Sequence, residues 1–253
     1  MHTLTGALAS LVVGIAAALV IVAIAILPFL SPAWVGFEQG RAQAAAWTGY
    51  SEGDLRTATD AILADLVIGP PDFDVAVAGV PVLTERERGH MRDVRGVFAG
   101  FYLLAVVGAG VLVGAFLLAR GPAARARLWR RLGLAGRVIA VATVALGIVG
   151  VLFFDTAFEV FHEVFFPAGS FLFDPATDRL VQLFPETFWV ETTIAVGVAI
   201  IVLAAGLAWF GGHRARTLEA RVEARLAASG APTPGQAAAD DPTPPAALTD
   251  GGP

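Results

Sequence analysis

The chain has no cysteine among its 253 residues. Disulfides, thiolate metal sites and a cysteine nucleophile are thereby excluded together, whichever side of a membrane each segment faces. Lysine is missing too: all 17 basic residues are arginine, which, with so much Ala, Val and Gly, points to a GC-rich bacterial coding sequence and carries no chemistry. There is no G-x-S-x-G, and Ser31, Ser51 and Ser170 stand in turn-like contexts without a neighbouring base, so the signals of a nucleophilic hydrolase are absent. No internal repeat is present. Apolar side chains are what the chain has in excess: 56% hydrophobic residues and a mean hydropathy of +0.70, against roughly 45–50% in soluble domains. A bilayer is the solvent this composition fits.

Four segments reach the length of about 20 mainly apolar residues that a helix needs to cross ~30 Å of hydrocarbon. They are Leu4 to Leu27, Val97 to Ala119, Leu134 to Phe154 and Thr192 to Phe210. The first lacks a basic leader and is longer than a signal-peptide core, so it reads as a retained helix. Arginines set the orientation. Arg120, Arg125, Arg127, Arg130 and Arg131 follow the second span, and Arg214, Arg216, Arg221 and Arg225 follow the fourth, which puts both termini and the middle turn in the cytoplasm. Arg86, Arg88, Arg92 and Arg95 pull the other way, but their loop, 28–96, is longer than the roughly 60 residues over which the rule operates.

The expected fold class is thus an all-α membrane protein. Residues 1–228 form a four-helix membrane domain, with a small extracellular cap built from the two outer loops, 28–96 and 155–191. In the first loop, prolines punctuate the chain and Ala58 to Ile68 has the apolar spacing of a short helix. In the second, PAGS and FDPATD read as turns. Residues 229–253, rich in Pro, Ala, Gly and Asp, are expected to be a disordered cytoplasmic tail.

Two stretches put polar chemistry at the membrane edge. FFDTAFEVFHEVFF, 153–166, holds six phenylalanines, three carboxylates and one histidine. Continued as a helix, it aligns Phe154, Phe158, His162 and Phe166 in one stripe, with Asp155, Glu159 and Glu163 in the stripe beside it. An interfacial amphipathic helix with its charges in water is the plain alternative. TERERGHMRDVRGVF, 84–98, opens with a capping-box pattern, Thr84 and Glu87, so a helix should begin there and run into the second span. It carries His90 and Asp93 on one face and Arg88, Arg92 and Arg95 on another. His90 and His162 both fall at the outer end of a span, near a carboxylate, at matching depth, where they can meet. Glu159-x-x-His162 has the i, i+3 spacing of di-metal bundles, but that motif needs two copies and only one is here.

GHMRDV at 89–94, with FHEVFF and FDPATDRLVQLFPETFW from 161 to 189, resembles the lipoprotein intramolecular transacylase (Lit) family and the wider group of bacterial membrane proteins around it. The likeness covers roughly residues 1–210. It implies an enzyme of the bacterial cytoplasmic membrane that moves the sn-2 acyl chain of a diacylglyceryl-cysteine lipoprotein onto the α-amino group of the same cysteine. The family's two catalytic histidines fall on His90 and His162. Phe171 stands where the family pattern has tryptophan, and the first outer loop matches only loosely. On this reading Asp93, Glu159 and Glu163 are candidates for orienting the histidines. Phe154, Phe158, Phe161, Phe165 and Phe166, with Trp189, Tyr102 and Arg92, would hold acyl chain and glyceryl. Partners would be the lipoprotein N-terminus and membrane lipids, with no nucleic acid, cofactor or metal and no covalent acyl-enzyme. A metal-dependent lipid hydrolase and a non-enzymatic scaffold or lipid binder are the other readings.

Overall fold

The computed structural model describes residues 2–229. The expected disordered tail therefore lies outside the described residues, except for Ser229, which ends the last helix. Helix α1, His2–Ile26, passes through a 3-10 turn at Leu27–Leu30 into three short helices: α2 Pro32–Arg41, α3 Ala44–Thr48 and α4 Glu52–Val67. A two-residue antiparallel hairpin comes next, β1 Ala76–Val77 with β2 Val80–Pro81. The rest is helical: α5 Glu85–Leu118, α6 Pro122–Leu152, α7 Phe154–Phe165, α8 Arg179–Leu183 and α9 Glu186–Ala228.

The helices α1, α5, α6 and α9 are long and apolar enough to cross a membrane. Their exposed faces carry side chains such as Val106, Leu117, Val141 and Leu146, which water covers only at a cost and hydrocarbon covers without one. The first is the most enclosed, with 33% of its apolar window buried against 11% in each of the others. Without a hydrophobic force between helices in lipid, packing rests on close backbone approach at small residues. On the seam between α6 and α9, a Cβ added at Gly136 would lie 2.5 Å from the Ala204 carbonyl oxygen, and one at Gly211 would lie 2.8 Å from the Gly133 nitrogen. Beyond the apolar run the same seam continues into an Arg130–Glu219 ion pair at 2.9 Å.

The two segments between the spans at the other end fold together. Val35, Leu55, Ile62, Phe73, Val82, Leu83 and Met91 from the first bury against Leu180, Leu183, Phe184 and Phe188 from the second. Gln39, itself buried, donates to Thr59 Oγ1 at 2.9 Å and to the Leu183 carbonyl at 3.0 Å, so its amide crosses between the segments with its donors satisfied. The helix expected at Ala58 to Ile68 is longer, because Ser51 caps it: its Oγ accepts from the Asp54 N–H, and Glu52 and Asp54 sit in the first turn where the helix dipole favours them.

Two local features set the positions of the histidine-bearing helices. The capping box at Thr84 is formed, and α5 then runs unbroken from cap to membrane. Continuity fails in the third span. Expected to reach Phe154 and continue straight outward, it ends instead at Leu152, and Phe153 leaves helical geometry at φ −134°, ψ 46° before α7 starts afresh. Beyond the break, α7 side chains meet rings from other elements: His162 meets His90 and Phe171, and Phe158 meets Trp189.

Candidate active site

His90 lies one turn into α5 beyond the capping box. Its own turn is held by Glu87, which is 0% exposed. Glu87 Oε2 accepts from the Thr84 N–H at 2.7 Å and from the Thr84 hydroxyl at 2.8 Å, while Oε1 accepts from the Leu180 N–H at 2.7 Å. This carboxylate thus closes the start of α5 and fastens the second outer segment to it. The same segment supplies Phe173, whose ring lies 5.4 Å from His90, with the Arg86 guanidinium over that ring at 4.7 Å. Arg86 in turn reaches Asp178 at 2.7 Å.

His162 comes from α7. Its ring lies tilted on Phe158 at 4.0 Å and touches Phe161, Phe166 and Phe171 at 5.4, 5.3 and 5.2 Å. Its Nδ1 lies 2.7 Å from the Phe158 carbonyl oxygen. A carbonyl can only accept, so Nδ1 donates, and in the neutral ring the lone pair falls on Nε2. The two imidazoles meet: their centroids are 6.0 Å apart with rings inclined by 20°, and Phe166 closes on both, 4.8 Å from His90.

Burial pushes the His90 pKa down to about 4; the neighbouring His162 adds to the shift and Asp93 opposes it. At neutral pH His90 is an uncharged imidazole. Its Nδ1 is buried without a hydrogen-bond partner, a group whose desolvation is uncompensated until something donates to it or accepts from it.

The remaining expected site residues spread over three distances. Phe158, Phe161 and Phe166 touch the histidines directly, and Phe154, Phe165 and Trp189 stand one ring further out, 5.9 Å from Phe158, 4.8 Å from Phe161 and 6.4 Å from Phe158. Tyr102 packs on Phe101 and Phe98 with its hydroxyl buried and unpartnered. Arg92 is held by Glu85 at 2.8 Å. Asp93, Glu159 and Glu163 are exposed, and the only side-chain hydrogen bond of His162 among the described residues is the one to Phe158. No three His, Asp or Glu side chains converge as a metal-ligating group among the described residues. Sequence reasoning missed Phe173 and the reach of Glu87. The i, i+2 spacing of the two phenylalanines in FLFD puts Phe171 and Phe173 on one face of an extended chain, whereas nothing local marks a contact between residues 87 and 180.

Four apolar helices joined to a packed cap, with two imidazoles stacked on helices α5 and α7, define the class of an integral membrane protein. The family model of the lipoprotein intramolecular transacylase Lit matches residues 10–189. The chain belongs to that family.

The solved structure of the membrane-integral transacylase Lit from Bacillus cereus is similar over 87% of this chain and 98% of that one, with a TM-score of 0.66 at 18% identity. A variant of that protein with one histidine replaced by arginine superposes over 88% of this chain and 96% of its own, with a TM-score of 0.65 and 19% identity. An uncharacterized protein of Aquifex aeolicus is 30% identical over 138 residues, 51% of this chain and 58% of that relative. The chain therefore matches little more than half the length of that relative.

Proposed function

We propose that this protein transfers the sn-2 acyl chain of a diacylglyceryl-cysteine lipoprotein to the α-amino group of the same cysteine, leaving a lyso-form lipoprotein. The observation that carries the reading is the meeting of His90 and His162 inside an aromatic enclosure at the cap–helix junction. Family membership supports it. In this reaction the substrate brings its own nucleophile. Amine nitrogen, Cα, Cβ, sulfur, two glyceryl carbons, ester oxygen and acyl carbon close an eight-membered ring on attack. The protein's tasks are to hold a floppy substrate in attack geometry, which can contribute several kcal/mol (up to roughly 7–11), and to move protons.

The tautomer and the burial support one division of those tasks. His162 Nε2, with its lone pair free, takes the proton from the attacking amine as the N–C bond forms. His90, neutral and desolvated, donates a hydrogen bond to the tetrahedral oxyanion, where a donor in a dry site is worth most. The His162 imidazolium then protonates the sn-2 oxygen as the C–O bond breaks. One amide and one alcohol result, with no net proton gained or lost. Bound substrate, packed against the phenylalanines that touch the two rings, keeps out the water that would otherwise divert the acyl group to a free fatty acid.

The arginines at the end away from the cap support a placement in the cytoplasmic membrane with termini inside and cap outside. The decisive test uses a host that makes only diacylglyceryl lipoproteins. Expression should convert the terminal cysteine to an N-acyl, S-monoacylglyceryl form of unchanged total mass, seen by fragmentation or as a blocked amine. Free fatty acid as the product would overturn the reading. Reporter fusions at residues 75 and 175 should read outside, and a fusion at 126 inside.

A further inference from the structure

The underside of the cap exposes apolar side chains at a level that can be measured along the helices. Helix α4 ends with Val67 53% exposed, and Ile68, its C-cap, is 87% exposed. A soluble surface places a lone isoleucine outward often enough, but this one is fixed in height. Arg95 donates to the Gly69 carbonyl at 2.7 Å and also to the Asp65 carbonyl, which ties the end of α4 to α5 two residues before Val97, where the apolar run begins. At ~1.5 Å per residue, that tie stands ~3 Å from the start of the run, within the ~5–7 Å of a headgroup layer.

The other side of the cap repeats the arrangement. In α2, Trp34 Nε1 donates to Thr192 Oγ1 at 3.2 Å, and Arg41 pairs with Glu191 through two bonds of 2.5 and 2.8 Å. Contacts made two turns apart on α2 thus land on adjacent residues of α9, so α2 crosses α9 at the start of its apolar run. Phe37, between them, is 57% exposed. By contrast, the hairpin residue Val80, also exposed at 64%, precedes α5, whose first turn stands twelve residues, or ~18 Å, above Val97.

We propose that Phe37, Val67 and Ile68 are interfacial anchors: the cap docks through them into the headgroup–acyl boundary of the bilayer that the four helices cross. The occupant is argued from continuity, since the apolar faces of α5 and α9 begin directly beneath these residues. The anchors would fix the cap's height and with it the depth of the two imidazoles.

The cysteine-free chain makes the test direct. Ile68→Cys, Phe37→Cys and Val80→Cys would each be labelled with an environment-sensitive fluorophore in the full chain, in vesicles of phosphatidylethanolamine and phosphatidylglycerol. Expected are a blue shift at 68 and 37, with loss of most emission to a lipid carrying a nitroxide at the headgroup–acyl boundary, while 80 is quenched by aqueous iodide alone. If 68 and 37 respond to iodide as 80 does, the cap stands clear of the membrane. If they are shielded from both quenchers, a second copy or another protein covers them. Either result overturns the proposal.

Discussion

His90 stands on a helix whose first turn is sealed by a capping box and a buried carboxylate, whereas His162 stands on a twelve-residue helix with no buried residue at all. The two rings nevertheless meet at 6.0 Å. One platform is positioned by polar bonds that the cap's core excludes from water. The other is positioned by aromatic contacts with its neighbours and by one main-chain carbonyl. A site made this way joins a fixed half to a half with exposed phenylalanines, which suits an apolar acyl substrate.

If the two halves act on one transition state, breaking either should do as much harm as breaking both. His90→Ala and His162→Ala should each abolish conversion while the protein still accumulates in the membrane, and the double variant should be no worse, because groups acting together are strongly non-additive. Fragmentation of lipoprotein N-termini reads the result. Retained conversion in His162→Ala would remove it from the mechanism and leave the comparison between unequal partners.

Stability should separate the platforms next. Glu87→Ala strips acceptors from the Thr84 and Leu180 N–H groups and from the Thr84 hydroxyl at once, at a cost of roughly 3 kcal/mol. Glu163→Ala, on the exposed helix, should change stability by no more than about 0.5 kcal/mol. Thermal unfolding in detergent measures both. Equal effects would mean that the cap is not held by the bond between residues 87 and 180.

How far this contrast is legible in the sequence depends on the range of the interactions. The capping box is a local grammar of residue types at Thr84 and Glu87, and it stands in the structure; of the stripe expected from helical periodicity, Phe154, Phe158 and His162 lie in α7, whereas Phe166 follows its end in extended geometry and still packs on His162. The bond from Glu87 to Leu180 spans 93 positions and leaves no periodic trace. The break at Phe153 carries neither proline nor glycine, the usual markers, so a continuous helix is the natural expectation there. The short helix expected from apolar spacing at Ala58 omits its polar first turn, because periodicity marks the buried face and not the cap.

The buried half should also carry a pH signature. Folding lowers the His90 pKa to about 4 from an unfolded value of ~6.5. The unfolded chain therefore binds more protons in this window. The stability contribution is fully present above ~6.5 and is lost as pH falls toward 4, by about 1–3 kcal/mol at pH 5. A His90→Gln variant should lose this part of the acid sensitivity, as read by unfolding temperature at pH 7.5 and pH 5. An unchanged acid response would place the sensitivity in other groups.

The smallest effects are expected from the carboxylates nearest the histidines in sequence. Asp93, Glu159 and Glu163 are exposed, and the Coulombic influence of Asp93 on His90 opposes the dominant desolvation without cancelling it. Their pull on the imidazoles acts through high dielectric, where a unit charge at 4 Å is worth ~1 kcal/mol. Asp93→Asn, Glu159→Gln and Glu163→Gln should each slow conversion by less than about ten-fold, with Asp93→Asn the largest of the three. Chelators should leave the rate unchanged. Complete loss in Glu159→Gln, or loss in chelator restored by one divalent metal, would mean that α7 supplies a ligand as well as a base, and would turn the exposed platform into the more specialised of the two.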